Sequence, residues 1–330
     1  MNVADKIVKI LEEEEITTVF GIPGEQIMPL YKALSTSSIN HVLTRHEQAA
    51  AHAADGYTRS SGKIGVCIAT AAPGALNFTM ALATAFKDNV PILVLTGDNE
   101  LQYRGSDHFQ SLPQVDIFKH ITKASYNPLN GTEAMYVLRA AIYELKTMPK
   151  GPIHINLSKD VLMEEDFNDF DLCYLCEDDL SKISDAQNLI DSAEKPLFIL
   201  GAGAISQKEN IERISKKYRI PVTTTFHAKG IISEDDDLNL GMVGIRSTPR
   251  AKYAFENADC IIALGIKASE RTLPEIPENL IHVNINKDVL IGDYPIHGKV
   301  EDFLLEISFK KTEWLDEILT IPNELEIEGL

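Results

Sequence analysis

The amino-acid sequence predicts an α/β protein built from two doubly wound parallel sheets. Short runs rich in apolar and β-branched residues alternate with longer stretches of helical periodicity, which is typical of parallel strands covered by helices. This alternation occurs in two separate sets along the 330 residues. One domain usually has about 150 residues, so a chain of this length is also expected to hold two domains.

The first set of elements occupies the amino-terminal half of the chain. Strands are expected at residues 17–20, 64–69, 91–95 and 152–157. Glycine and proline at residues 21–24 end the first of these strands. The alanine-rich stretches 47–57 and 74–86 are good helix formers and are expected to cover the sheet.

The second set of elements repeats the same alternation. Strands are expected at residues 196–200, 220–225, 260–265 and 280–285. A helix-length interval separates each strand from the next, as in a doubly wound Rossmann-like domain.

Changes in periodicity and charge predict the domain boundaries. The first domain is expected at residues 1–160 and the second at residues 185–308. Residues 161–184 lose the periodicity and are rich in acidic side chains, so they are interpreted as an acidic linker. Residues 309–330 are polar and acidic and too few for a further domain, which predicts a tail or linker.

The charge of the chain argues against nucleic-acid and membrane partners. The 31 Lys and Arg residues are outnumbered by 49 Asp and Glu residues, giving a net charge of −18. Binding to nucleic acid or to an anionic membrane relies on basic patches, which this balance disfavours. The first residues lack the features of a signal peptide, and no apolar run approaches about 18 residues, so a cytoplasmic location is expected.

The four cysteines do not predict a metal site. Cys67 and Cys260 lie in apolar strand-like runs and are interpreted as buried small hydrophobes. Cys173 and Cys176 form a C-x-x-C pair, but a zinc site would need a second pair or suitably spaced histidines. Two reduced thiols in the linker are therefore expected.

Residues 44–57, Thr-Arg-His-Glu-Gln-Ala-Ala-Ala-His-Ala-Ala-Asp-Gly-Tyr, hold the densest group of chemically useful side chains. A strand ends here and a helix of small residues begins, which places Glu47 at the carboxyl edge of a sheet, where α/β folds bind ligands. The residues by themselves allow a second interpretation. Glu47 could complement the helix dipole, and His46 and His52 could be ordinary structural histidines.

Several segments around this run carry a family resemblance. Gly21-Ile22-Pro23-Gly24-Glu25 precedes it, and residues 69–77 (Ala-Thr-Ala-Ala-Pro-Gly-Ala-Leu-Asn) and 105–110 (Gly-Ser-Asp-His-Phe-Gln) follow it. Together they resemble the pyrimidine-binding domain of thiamine-diphosphate enzymes, and among these the large catalytic subunit of acetolactate synthase. Residues 201–204 and 240–244 are similar to that family's central domain, and the resemblance extends over roughly residues 1–308.

The resemblance implies a catalytic role for Glu47. In this family a glutamate hydrogen-bonds N1′ of the aminopyrimidine of thiamine diphosphate, and the cofactor then decarboxylates a 2-oxo acid such as pyruvate. Six further positions are implied to line the site, namely Pro23, Gly24, Pro73, Asn77, Phe109 and Gln110. The first four and Gln110 would contact the cofactor, while Phe109 and Gln110 would approach the substrate. Pro23 and Gly24 could instead form only a tight turn, and Pro73 could simply begin a helix.

One family feature is missing from the sequence. The family binds the cofactor's diphosphate through Mg²⁺ on a third domain with a Gly-Asp-Gly motif, whereas the nearest matches here are Gly97-Asp98-Asn99 and Gly292-Asp293-Tyr294. We therefore expect a homo-oligomer to which a partner chain contributes the diphosphate domain and its Mg²⁺. A split gene is favoured because Met1 opens a complete first helix, while a truncated chain remains an alternative.

FAD is left open as a further cofactor. Acetolactate synthases hold a noncatalytic FAD in the central domain, with a Gly-x-Arg-Phe-Asp-Asp-Arg segment. Residues 265–271 match this pattern only at Gly265 and Arg271, and Lys119 replaces a family arginine. A purely structural central domain is slightly favoured.

The predicted function is that of an acetolactate synthase-like transferase or lyase of branched-chain amino acid biosynthesis, inactive as an isolated chain. It would decarboxylate pyruvate and join the product to a second 2-oxo acid. Two alternatives stay open. One is a 2-oxo acid decarboxylase subunit, since His108 departs from the synthase pattern. The other is a noncatalytic paralogue that binds a full-length enzyme.

Overall fold

The computed structural model describes residues 1–169, 180–273 and 275–323. The chain divides into two compact units, residues 1–174 and 175–330. Each unit contains one six-stranded sheet in which all strand pairs are parallel. The predicted α/β class with two parallel sheets and covering helices is confirmed.

The first unit has the strand order β2-β1-β3-β4-β6-β5. Its elements are α1 (Val3–Glu13), β1 (Thr18–Gly21), α2 (Met28–Leu34), β2 (Asn40–Leu43), α3 (Glu47–Ser61), β3 (Gly65–Ala69), α4 (Ala72–Ala75), α5 (Thr79–Lys87), β4 (Ile92–Asp98), α6 (Gln114–Phe118), β5 (Ala124–Tyr126), α7 (Gly131–Lys146), β6 (Ile153–Ser158) and α8 (Lys159–Met163). Strands β3 and β6 are buried along their whole length, which explains their nearly continuous apolar runs.

Alternating residues of the central strands of this sheet face two apolar cores. In β4, Leu93 and Leu95 belong to the core under α1, α2 and α7, whereas Ile92 and Val94 belong to the core under α3 and α5. The second core is lined by alanines of α3 and α5, which let these helices lie close to the sheet. The sheet is therefore covered on both faces and leaves its carboxyl edge for the site.

The second unit has the strand order β12-β11-β10-β7-β8-β9. Its elements are α9 (Ile183–Ser192), β7 (Pro196–Leu200), α10 (Lys208–Tyr218), β8 (Val222–Thr224), β9 (Asn239–Met242), α11 (Pro249–Asn257), β10 (Cys260–Leu264), β11 (Leu280–Asn284), β12 (Tyr294–His297), α12 (Val300–Glu306) and α13 (Trp314–Leu319). Among the described helices of both units, the longest is α7 with 16 residues, and none is long and apolar enough to cross a membrane.

The sequence analysis did not predict β5, β9 and β12. All three are edge strands of three or four residues, and most of their residues are only half-buried. A strand that pairs on one side and packs on one face needs fewer apolar residues. The hydrophobic pattern that such a strand leaves in the sequence is therefore weak. The central strands were predicted because burial on both faces demands apolar side chains.

Residues 161–169 of the segment expected as an acidic linker pack on the first unit, whereas Leu180 and Ile183 pack on the core of the second unit. Val161 and Leu162 of α8 are buried in its core. The Asp169 carboxylate accepts two hydrogen bonds of 2.6 Å from Arg139, and Lys6 Nζ lies 2.9 Å from its Oδ2. These cations hold the pKa of Asp169 well below its usual range. Cys173 and Cys176, expected as linker thiols, lie outside the described residues.

The described part of the segment expected as an acidic tail also differs from the expectation. Its helix α13 buries Trp314, Leu315 and Ile318 in the core of the second unit. The indole Nε1 of Trp314 donates a 3.0 Å hydrogen bond to the carbonyl of Pro196 in β7. Three apolar side chains at helical spacing within a charged stretch therefore suffice to dock this segment.

Cys67 in β3 and Cys260 in β10 are free and buried, as the sequence predicted. Burial raises the pKa of both thiols, to about 12 for Cys260. A thiol that stays protonated is a poor nucleophile, so both act as apolar core residues.

Candidate cofactor site

Glu47 lies in the first turn of α3, directly after the loop that follows β2. His46 precedes the helix in an extended conformation, and its Nδ1 accepts a 3.2 Å hydrogen bond from the backbone N–H of Gln48. This side-chain cap starts the helix at Glu47 and places its carboxylate at the carboxyl edge of the first sheet.

The Glu47 carboxylate is half-buried and is held by Asn77. The Nδ2 group of Asn77 donates a 2.8 Å hydrogen bond to Oε2 of Glu47. A Cβ atom added at Gly74 would lie 2.8 Å from Oε1, so only glycine leaves room for this side-chain position. Within the described residues, Oε1 accepts no hydrogen bond, which leaves one carboxylate oxygen available for a ligand.

Glycines bring the loops after β1 and β3 close together beside this carboxylate. A Cβ atom at Gly24 would lie 2.4 Å from Cβ of Thr70, and one at Gly74 would lie 3.1 Å from Cγ2 of Thr70. The Thr70 hydroxyl is buried and has no hydrogen-bond partner among the described residues. A buried hydroxyl without a partner is costly, so it indicates a place where a ligand or water would bind.

A second hydroxyl without a partner in the described structure belongs to Tyr31. The Tyr31 hydroxyl oxygen lies 2.6 Å from the position that a Cβ atom at Gly21 would take. The Tyr31 ring packs edge-on against His41. Burial, Cys67 and the Glu47 carboxylate all raise the pKa of this phenol.

The other predicted site residues lie in the segments that follow β1, β3 and β4. Pro23 is exposed beside Gly24, and Pro73 is exposed in the first turn of α4, where its missing N–H costs nothing. Phe109 is 73% exposed on the loop that follows β4. Gln110 has a φ of +61°, a left-handed conformation that is uncommon outside glycine. The structure shows no hydrogen bond from any of these four residues to Glu47.

Sequence reasoning missed a buried polar network under the same edge of the sheet. Asn156 in β6 connects it, because its Oδ1 accepts from Thr96 at 2.9 Å and from Gln114 at 3.0 Å. Its Nδ2 donates a 2.7 Å hydrogen bond to Asp98 at the end of β4. Polar residues inside otherwise apolar strands, such as His154 and Asn156, were the available signal.

His154 closes the network at its inner end. The single hydroxyl proton of Thr96 goes to Asn156, so Thr96 accepts the 2.8 Å hydrogen bond from Nε2–H of His154. Nδ1 therefore accepts from the Ser125 hydroxyl at 2.8 Å. Complete burial lowers the pKa of His154 to about 3, so the imidazole is neutral.

Asp98 is the one carboxylate of this network. Burial raises its pKa, although hydrogen bonds from Asn156 and from the backbone N–H of Asn99 oppose the rise.

The described residues contain no group of three or more His, Cys, Asp or Glu side chains that could hold a metal ion.

The glycine-rich turn after β7 in the second unit has a packing explanation. A Cβ atom at Gly201 would lie 2.2 Å from the carbonyl oxygen of Gly265, and one at Gly203 would lie 2.9 Å from Cα of Gly265. Gly203 N–H also donates a 3.0 Å hydrogen bond to the Gly265 carbonyl. These glycines permit two backbone segments to touch.

The fold and the site define an α/β protein with a half-buried carboxylate, held by Asn77, at the carboxyl edge of a parallel sheet. Residues 1–118 match the family model described as thiamine pyrophosphate enzyme, N-terminal TPP binding domain. Residues 183–307 match the model described as thiamine pyrophosphate enzyme, central domain. The chain belongs to the thiamine pyrophosphate enzyme family.

Similar proteins are named as acetolactate synthases. The probable acetolactate synthase large subunit of Methanocaldococcus jannaschii is 38% identical, over 96% of this chain and 59% of that protein. That of Methanococcus aeolicus is 36% identical, over 93% and 55%. The acetolactate synthase large subunit of Pyropia yezoensis is 38% identical, over 88% and 53%. The chain thus spans between half and three-fifths of the length of these relatives.

Proposed function

We propose that this chain forms the pyrimidine-binding and central domains of an acetolactate synthase-like enzyme that uses thiamine diphosphate. The enzyme would decarboxylate pyruvate and join the product to a second 2-oxo acid, within branched-chain amino acid biosynthesis. The observation that carries the proposal is the Glu47 carboxylate, held by Asn77 with one oxygen available, between two glycine-containing loops. The names of the similar proteins support the same reaction.

The residues around Glu47 fit the pyrimidine end of thiamine diphosphate. The missing side chains at Gly24 and Gly74 let Thr70 and the Glu47 carboxylate lie close to these loops, and the unpartnered Thr70 hydroxyl offers a polar contact to the ring. When bound, the cofactor supplies the carbon that attacks the ketone of the 2-oxo acid. Glu47 would hydrogen-bond N1′ of the ring, and Asn77 keeps the carboxylate in the required orientation.

The remaining site residues take supporting roles in the proposal. Pro23 and Pro73 flank the ring on the loops after β1 and β3, while Phe109 and Gln110 lie on the substrate side. The exposed ring of Phe109 would then be covered by substrate or by another domain, which would exclude water from the reacting atoms.

The proposal assigns the diphosphate and its Mg²⁺ to a partner domain, in a cytoplasmic homo-oligomer. The 330 residues contain no Gly-Asp-Gly motif, so the proposal places the diphosphate site outside them. The chain by itself would then be inactive. FAD is not included in the proposal, because residues 265–271 match the family's FAD-associated segment only at Gly265 and Arg271.

The direct test is acetolactate formation from pyruvate with thiamine diphosphate, Mg²⁺ and FAD. The purified chain is assayed alone and then mixed with a separately encoded diphosphate domain from the same genome. We expect acetolactate only in the mixture. Release of CO₂ without acetolactate would instead support a decarboxylase. A bound partner domain with no turnover would support a noncatalytic subunit.

Asn77→Ala is expected to lower kcat about tenfold, because the Glu47 carboxylate loses the hydrogen bond that orients it. The measurement is steady-state turnover of the assembled enzyme. Asn40→Ala, at an exposed position of the edge strand β2, is the control for changing an asparagine in the same unit and should leave turnover unchanged. Wild-type kcat in Asn77→Ala would mean that Glu47 needs no such support.

A further inference from the structure

The loop between β4 and α6, residues 99–113, is exposed in its middle and anchored at its ends. Residues 102–107 are exposed, whereas Asn99 at the start is only 6% exposed. Gln114, directly after the loop, is 1% exposed and donates 3.0 Å hydrogen bonds to the Gly97 carbonyl and to Asn156. The loop carries Phe109 and Gln110, so its anchors decide where these two residues lie.

Asn99 makes two hydrogen bonds that fix its own orientation. Its Oδ1 accepts a 2.9 Å hydrogen bond from Nε2 of Gln26, and its Nδ2 donates a 2.9 Å hydrogen bond to the carbonyl of Phe109. Gln26 is buried, and a Cβ atom at Gly97 would lie 2.8 Å from its carbonyl carbon. Because Gln26 supplies the donor, the amide of Asn99 must direct its own N–H group toward Phe109.

The hydrogen bond to Phe109 acts on the peptide unit that joins Phe109 to Gln110. The left-handed backbone of Gln110 is uncommon outside glycine and persists only where surrounding contacts impose it. Within the loop, the Ser111 N–H donates a 3.0 Å hydrogen bond to the His108 carbonyl, which closes a turn around Gln110. The hydrogen bond from Asn99 to the Phe109 carbonyl holds the peptide unit inside this turn and ties the turn to the rest of the unit.

We propose that Asn99 is a positioning residue that holds Phe109 and Gln110 in register with the loop carrying Pro23 and Gly24. Gln26 lies two residues after Gly24, so the Gln26–Asn99–Phe109 chain of hydrogen bonds joins the two loops directly. The anchoring is a property of this chain, whereas its catalytic consequence rests on the proposed function.

The first test measures hydrogen exchange without cofactor. In Asn99→Ala, and in Asn99→Asp, which replaces the donor by a carboxylate oxygen, the Ser111 amide should exchange about tenfold faster, because its 3.0 Å hydrogen bond to the His108 carbonyl lies in the segment that Asn99 anchors. The exchange rates of the amides in β3 and β6 should be unchanged. Gln102→Ala, which removes an exposed amide from the same loop, is the matched control and should leave exchange of the Ser111 amide as in the wild type. Unchanged exchange of the Ser111 amide in both Asn99 variants would overturn the anchoring.

The second measurement needs no variant and covers the case in which the substitutions disturb the fold. In the unmodified chain, nuclear magnetic resonance should detect a side-chain NH₂ of Asn99 that exchanges slowly with water, because it is buried and bonded. A rapidly exchanging NH₂ would overturn the anchoring.

The third measurement tests the catalytic consequence in the assembled enzyme. Asn99→Ala should lower kcat/KM for the 2-oxo acid about tenfold, because Phe109 and Gln110, which would approach the substrate, lose their fixed position. Faster loop exchange with unchanged kcat/KM would overturn the positioning role. If the wild-type assembly makes no product at all, the proposed function fails, while the exchange measurements still decide the anchoring.

Discussion

Glu47→Gln is expected to abolish measurable acetolactate formation by the assembled enzyme, with a loss of at least about 100-fold, the lower end for a proton-transfer group. Glutamine has the size of glutamate and can still accept the hydrogen bond from Asn77, so the site geometry is retained. The substitution removes the negative charge that would favour a proton at N1′ of the pyrimidine.

The control is Glu133→Gln, because Glu133 is also a half-buried glutamate in the first turn of a helix, α7. It accepts a hydrogen bond from the Leu129 N–H, which glutamine can replace. Turnover should be that of the wild type in this variant, and both variants should unfold at the same urea concentration as the wild type. An active Glu47→Gln enzyme would remove Glu47 from the mechanism.

The first unit is expected to lose about 3 kcal/mol of its free energy of unfolding between pH 6.5 and pH 4 because of His154. Burial lowers the pKa of the folded imidazole to about 3, below the 6.5 of an exposed histidine. In this pH window the unfolded chain binds a proton that the folded chain does not. The contribution of neutral His154 to the free energy of unfolding is therefore complete above pH 6.5 and is lost as the pH falls.

The measurement compares urea unfolding of the wild type and of His154→Leu, followed by hydrogen exchange of β4 and β6. The variant is less stable at pH 7, because Thr96 and Ser125 lose their partner, but its stability should fall less between pH 6.5 and pH 4. The difference between the two slopes isolates His154 from the carboxylates that both proteins share. Equal slopes would show that His154 binds its proton over the same pH range in the folded unit as in the unfolded chain.

The prediction from sequence succeeded where local pattern and burial agree. Strands such as β3 and β10 are buried on both faces, so their composition is visible in the chain itself. The sequence did not show α13, which lies in the segment expected as a tail or linker. This segment has few apolar residues. Its helix is stable only because Trp314, Leu315 and Ile318 pack against the core of the second unit.

The candidate site was predicted only in part. The sequence placed Glu47 at the start of a helix at the edge of a sheet, and the structure agrees. It could not show that Asn77 bonds this carboxylate, nor that Gln26 and Asn99 join two loops, because each pair is separated by tens of residues. The catalytic roles of these residues remain predictions that the experiments above decide.

The sequence by itself determined the two parallel sheets, their central strands and the family, because these depend on periodicity and on local motifs. The tertiary structure decided which polar side chains meet, which edge strands form and where the charged segments dock. Hydrogen bonds of about 3 Å depend on the packing of distant elements, and a linear pattern holds no information on that packing.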